Sequence, residues 1–204
     1  MKAPLLIGIA GAAGAGKDAV ADFLVQDHGF VRVALADPLK RFAADVWGFT
    51  GAQLWGPSER RGEPPPGLAG PTAREALQTL GTEYGRRLDP DVWVRYLLRV
   101  VRALQSPTRK VTYRCYKGLA RHWRRMLAVA VVAPDVRFVN EAYAIRAAGG
   151  RIWQVVRPAC GDVVGGLPGH ASEVGLPADL VDVVIENTGT LADLRERVRE
   201  ELAR

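Results

Sequence analysis

The stretch GIAGAAGAGKDAVADFL, residues 8–24, constrains the fold more than any other part of the chain. Gly11 to Lys17 fits the pattern G-x-x-x-x-G-K, in which glycines let backbone N–H groups turn inward around phosphate oxygens. Before it, Leu5 to Ala10 is a short apolar run of the kind that forms a buried parallel strand. After it, Val20, Phe23 and Leu24 recur at helical spacing. Strand, glycine loop and helix in that order is the context that such a match requires. The loop then ends on an unusual residue. Asp18 stands where a hydroxyl normally follows the lysine. A carboxylate is a hard oxygen ligand suited to Mg²⁺, and an acidic residue is also favoured in a first helical turn. Chemistry alone leaves both readings open.

The rest of the chain keeps alternating strand and helix patterns. Strands are expected over 30–35, 126–133, 151–156 and 181–185. Helices are expected from Asp37, as cap, with Pro38 in the first turn, to about Trp47; over 72–87, with Thr72 and Glu75 as a capping box; and over 91–104. Two more follow, over 141–148, stopped by Gly149-Gly150, and over 190–202, capped by Thr190 with Asp193. The segments 56–71 and 160–177 read as Gly- and Pro-rich loops, and Ser106 to Arg125 has no clear period. This order predicts an α/β three-layer domain, a central parallel sheet with helices on both faces.

Length and composition bound the function classes. With 204 residues, 48% hydrophobic and 25% charged, the chain is expected to form a single domain, 1–204, of ordinary globular composition. The formal charge of +6 favours anionic partners but does not choose among them. Much of the excess lies between Arg109 and Arg125, where TYRCYKGLARHWRRM interleaves basic and aromatic residues. Such a stretch can contact nucleic acid, but packing on the domain body is the expected role. Cys115 and Cys160 have no metal-ligand spacing, nor do His28, His122 and His170, so a reducing, cytoplasmic setting is expected. No apolar run reaches membrane-spanning length.

A second acidic candidate, Asp135, follows the apolar run AVAVVAP, with Arg137 two residues on. Ligands gather at the carboxyl ends of parallel strands. Asp135 is therefore a candidate to serve Mg²⁺ as a Walker-B carboxylate does, and Arg137 to grip a phosphate with its forked donors; the alternative is that the two only finish the strand and pair with each other. Arg60 and Arg61 are expected to be solvated loop charges.

Six segments together extend this reading: GAAGAGKDAVADFL, LADPLKRFAADVWG, REALQTLGTEYGRRLDPDVWV, PDVRFVNEAYAIRAAGGRIWQVVRP, GHASEVGLP and VVIENTGTLADLRERV. In this order they resemble the bacteriophage-type deoxynucleoside monophosphate kinases, a branch of the P-loop nucleoside monophosphate kinases in which aspartate characteristically follows the loop lysine. The resemblance covers most of the chain outside 56–71 and 106–125. It implies transfer of the γ-phosphoryl group of ATP, with Mg²⁺, to the 5′-phosphate of a deoxynucleoside monophosphate. It implies that Ala13, Gly14, Ala15, Gly16, Lys17, Asp18, Ala19, Asn187 and Gly189 surround ATP, and that Asp18 and Asp135 organise the metal. Lys40, Arg74, Gln78, Thr82, Trp93, Arg137 and Glu141 correspond to acceptor-binding positions, and Lys17, Arg137 and Arg157 to catalytic cations. It further implies an acceptor-binding helical region over 36–105, a basic insertion over 106–125, a lid over 157–177 and a possible homodimer. A dephospho-coenzyme A kinase-like enzyme shares loop and lid but not the acceptor motifs; a nucleic-acid-binding P-loop protein would use the basic insertion instead.

Overall fold

The computed structural model describes residues 6–56, 58–106, 111–115, 118–122, 129–158 and 175–204, with 58, 111–115 and 118–122 described by backbone alone. Five parallel strands form one sheet: β1 (Leu6–Ala10), β2 (Val31–Arg32), β5 (Val131–Pro134), β6 (Arg151–Val156) and β7 (Val183–Glu186). Their order is β2-β5-β1-β6-β7. β1 sits centrally, with Leu6 opposite Val131 on one side and Ile7 opposite Arg151 on the other.

Alternation along the strands builds two cores, because successive side chains leave a strand on opposite faces. Leu6, Val131, Ala133 and Ile152 join Val94, Leu97 and Val101 of α5 (Val92–Gln105) and Ala142 and Ile145 of α6 (Val139–Ala147). Ile7, Ile9, Val132, Trp153 and Ile185 join Val20, Ala21 and Leu24 of α1 (Lys17–His28) and Leu194 and Val198 of α7 (Leu191–Ala203). The expected three-layer α/β fold is therefore present.

A third, smaller core holds a helical region beside the sheet. Ala43 of α2 (Asp37–Trp47), Leu54 of α3 (Gly51–Trp55) and Ala73 and Ala76 of α4 (Ala73–Gln78) pack with Phe49. The capping boxes at Thr72/Glu75 and Thr190/Asp193 form as expected. Asp37 does not cap its helix. Ala36 takes that position, and the buried Asp37 carboxylate accepts from the Trp55 indole N–H at 3.3 Å.

Other elements differ from expectation for tertiary reasons. The helix expected over 72–87 widens into a π-helix at Thr79–Arg86. Trp93 packs against this segment: its indole N–H donates to the Gly81 carbonyl at 2.8 Å, and a Cβ on Gly85 would lie 2.4 Å from its ring. The loop 56–71 contains a short 3₁₀ helix, Ser58–Gly62. The unplaced segment 106–125 contains an antiparallel pair, β3 (Val111–Cys115) and β4 (Gly118–His122). The second strand of the sheet is only Val31–Arg32, and the described central strand starts at Val131. Among the described residues, no helix is long and apolar enough to cross a membrane.

Candidate functional site

The loop between β1 and α1 opens at the carboxyl end of the sheet. Gly14 and Gly16 have φ of 76° and 103°, left-handed values that disfavour any side chain. At Gly16 a Cβ would also meet the Asn187 amide nitrogen at 2.6 Å. That amide closes the loop from behind, since Asn187 is buried and donates to the Ala15 carbonyl at 2.8 Å. Gly189 follows, packed so closely against Asp193 that a Cβ would lie 2.5 Å from its carboxylate. Ala13 and Gly14 are exposed, while Ala15 is buried. The Lys17 ammonium donates to the carbonyls of Gly11 at 2.7 Å and Ala12 at 2.8 Å. Ala19 follows in the first turn of α1 and packs against the core. A loop of N–H groups at a helix N-terminus with a lysine on its rim is chemically an anion cradle.

Asp135 faces this lysine from the end of β5. Its carboxylate stands 3.7 Å from the Lys17 ammonium and 2.9 Å from the Arg137 guanidinium. The backbone places it there at some cost. Asp135 is the non-glycine residue with positive φ, 71°, among the described residues, and such outliers concentrate at functional sites. Burial alone would raise its pKa, but Arg137, Lys17 and Lys40 outweigh burial and hold it at about 2. Burial lowers the Lys17 ammonium from its ordinary value, against the pull of Asp135. The strand end therefore carries a permanently ionised carboxylate between two cations.

Asp18 is exposed and paired with Arg32 of β2, which also reaches Asp22 at 3.1 Å. Burial pulls the Arg32 pKa down, but the two carboxylates raise it above its ordinary value. Serving a metal ion would require Asp18 to relax this pair. Arg32 gave no signal in the sequence, because the pairing joins residues 14 apart across a helix and a strand.

Glu141 is buried and fully engaged by the protein. It accepts from the backbone N–H of Arg137 at 3.0 Å and of Phe138 at 3.1 Å, and pairs with Arg86 at 3.3 Å. Burial raises its pKa. Arg86 also donates to Asn140 at 2.8 Å and lies 3.6 Å over the Phe138 ring. Asn140 in turn donates to Asp91 at 2.7 Å. This network ties the start of α6, and with it Arg137, to the π-helix and α5. Arg86 and Asn140 were not singled out in the sequence.

The helical region brings more cations to the same carboxylate. Lys40 on α2 lies 5.9 Å from the Trp55 ring. Burial and the neighbouring Arg61 lower its pKa to about 8, against Asp37 and Asp135. Arg74 stands in the first turn of α4, half-buried and within electrostatic reach of Arg61. Gln78 ends α4 and Thr82 lies in the π-helix, both half-buried. Trp93 is occupied in packing the π-helix, as described above. Arg157 is exposed just beyond β6. Residues 159–174 of the expected lid, among them His170 and Glu173, lie outside the described residues.

No family model matches the chain. It is 29% identical over 200 residues to a protein of Acanthamoeba polyphaga mimivirus that carries the provisional name deoxynucleotide monophosphate kinase; the match covers 95% of this chain and 94% of that one. Among solved structures, a dephospho-CoA kinase from Campylobacter jejuni matches all of this chain and 96% of its own at 12% identity and a TM-score of 0.48. A gluconokinase from Sinorhizobium meliloti 1021 matches all of this chain and 94% of its own at 14% identity and 0.47. Structural likeness at that level carries no argument about activity. The loop geometry and the mimivirus likeness together support a kinase of the P-loop type.

Proposed function

We propose that this chain transfers the γ-phosphoryl group of ATP to the 5′-phosphate of a deoxynucleoside monophosphate. The observation that carries the reading is the meeting of two cation sets on Asp135: Lys17 of the phosphate loop at 3.7 Å, and Arg137 at 2.9 Å. Donor and acceptor in such a reaction both present phosphate oxygens, and the charge between them peaks during transfer. The motif set GKD, ADPLK, LQTLGT and DVRFVNEA favours a nucleotide acceptor, as does the name of the mimivirus relative.

In this reading the bond from the γ-phosphorus to the bridging oxygen breaks, leaving that electron pair on ADP. An oxygen of the acceptor phosphate forms the new bond. The acceptor is already an anion, so no general base is needed. The loop N–H groups and Lys17 bind the donor phosphates. Lys40, Arg74 and Arg137 bind the acceptor phosphate and align it for in-line attack. Gln78 and Thr82 border the acceptor nucleoside. Glu141 acts through Arg137, whose backbone it fixes. Asn187 fixes the loop behind the donor site.

Magnesium fits the residues present. Asp135 is ionised at any physiological pH, partly exposed and made of hard oxygens. Among the described residues no group of three or more acidic, histidine or cysteine side chains gathers as a cage, and Mg²⁺ in such enzymes is bound by one or two carboxylates plus substrate phosphates. Asp135 would hold it, with Asp18 contributing once freed from Arg32. Held there, Mg²⁺ would supply positive charge against the donor phosphates.

The test is an ADP-release assay with ATP and Mg²⁺, run separately with the four common deoxynucleoside monophosphates, their ribose forms and dephospho-coenzyme A. Turnover with at least one deoxynucleotide is expected. Turnover with dephospho-coenzyme A alone, or with none of them in a protein that still binds ATP, refutes the proposal.

A further inference from the structure

Arg60 and Arg61 are neighbours in a loop that the sequence marks as solvated, and the fold treats them oppositely. Arg60 is exposed and pairs with Glu63 at 3.5 Å, within the loop itself. Arg61 is half-buried, and its Nε is wholly buried without a hydrogen-bond partner. Burial lowers its pKa; Asp135 and Asp18 oppose that shift, and Arg74 and Arg137 add to it. Among like charges, Arg61 weighs most on Lys40. Arg61 thus lies at the site, attracted by Asp135 and Asp18 more than it is opposed by Arg74 and Arg137.

The loop holds it there by design of its backbone contacts. Gln53 is buried, and its amide donates to the Pro64 carbonyl at 2.7 Å and to that of Glu63 at 3.4 Å. Its amide oxygen accepts from the Thr50 N–H at 3.0 Å, so the clamp is fixed to the start of α3. The Ala73 N–H reaches the Glu63 carbonyl at 3.3 Å from the start of α4. Pro65 is buried. The 3₁₀ turn bearing Arg61 is therefore seated against the helical region on both sides.

We infer that Arg61 is a further substrate-binding cation of this site, whose guanidinium receives oxygens of the acceptor's 5′-phosphate. The inference rests on the acceptor reading above. An arginine that serves the fold ends on a carboxylate or a carbonyl, because a buried N–H without a partner destabilises. This one instead adds a charge to a cluster containing Lys40, Arg74 and Arg137. A phosphate dianion satisfies both deficits at once, and the guanidinium fork matches its oxygens in pairs.

The experiment compares the wild type with Arg61→Ala, Arg61→Lys and the control Arg60→Ala. Calorimetry measures the affinity for ATP, for orthophosphate and for the best deoxynucleoside monophosphate acceptor, and thermal melting is followed alongside. Arg61→Ala is expected to weaken acceptor binding by about tenfold or more. ATP affinity should stay within about twofold, and Arg60→Ala should match the wild type in every measurement. Arg61→Lys should fall between, since it keeps the charge and loses the fork. The melting midpoint of Arg61→Ala should stay close to that of the wild type, because the buried Nε makes no hydrogen bond whose loss would destabilise the fold. Unchanged acceptor affinity in an active Arg61→Ala enzyme overturns the inference, as does a lowered midpoint with ATP and acceptor binding lost alike. If the wild type uses no deoxynucleotide, the functional reading fails separately. Orthophosphate then decides: weaker binding by Arg61→Ala retains Arg61 as an anion ligand, and equal binding removes it.

Discussion

The two halves of the site are built differently. On the sheet side, polar groups are satisfied within the protein: Lys17 by two carbonyls and Asp135, Asn187 by the Ala15 carbonyl, Glu141 by two N–H groups and Arg86. On the helical side, Lys40 and Arg61 are cations whose ionisation is weakened first by burial, and that of Lys40 further by Arg61. A backbone cradle is specified by glycines and spacing, whereas a cation pocket is specified by where several helices and a loop converge. Under the proposed function, the first half serves the polyphosphate donor and the second selects the acceptor.

If that contrast is right, damage to the sheet side should abolish turnover with every acceptor. Lys17→Met is expected to lower kcat by at least about 10²–10³-fold with an unaltered fold, as for loss of one preorganised charge at a transition state. Stopped-flow or steady-state assays check this, and normal turnover would remove Lys17 from the donor site. Gly16→Ala comes next. It forces a left-handed φ on a side chain that also collides with Asn187. A loss of about 1–3 kcal/mol in unfolding free energy is expected, together with weaker ATP binding, and denaturant titration with calorimetry reads both.

The helical side should instead show in the acceptor and in pH. Lys40 is charged below about 8 and neutral above it. Raising the pH from about 7 to about 9 should therefore increase acceptor KM several-fold while ATP KM stays flat, and Lys40→Arg should flatten the profile. The stability effect has the opposite sign. Between about 8 and the ordinary 10.5 the unfolded chain holds a proton that the folded chain has released, so this lysine adds stability as pH rises through that window. Equal pH dependence for both substrates would erase the distinction between the halves.

Smaller effects probe the seam. Glu141→Gln keeps the shape but weakens the hold on Arg86 and the Arg137 backbone. Acceptor KM should rise by about two- to tenfold, less than the roughly 1.5–3 kcal/mol of a charged hydrogen bond would give, because Glu141 acts on the acceptor only through Arg137. Asp18→Ser should leave measurable activity with an altered Mg²⁺ requirement. An unaltered requirement would leave Asp18 as the partner of Arg32 alone.

The same contrast explains what the sequence disclosed. The phosphate loop, β1, the capping boxes at Thr72 and Thr190 and the position of Asp135 follow from local spacing and were legible. Arg32, Gln53 and Arg86 were not, because each acts through a partner brought near only by the fold, and neither was Arg61, whose burial depends on how the fold seats its loop. Arg61 and Arg60 are indistinguishable as letters and separate only once Gln53 seats the loop. The π-helix was hidden for a related reason. Gly81 and Gly85 look like ordinary helix weaknesses until Trp93 arrives from the next helix. Glu141 and Trp93 correspond to acceptor-binding positions in the resemblance, and the fold also engages both in holding neighbouring elements.

The most direct test follows the transferred group itself. ATP labelled at the γ-phosphorus is incubated with the protein, Mg²⁺ and each deoxynucleoside monophosphate, and the products are separated by anion-exchange chromatography. The account predicts label in a deoxynucleoside diphosphate, absent in the Lys17→Met variant. Label found only in inorganic phosphate would contradict it, because the acceptor side would then contribute nothing to the reaction.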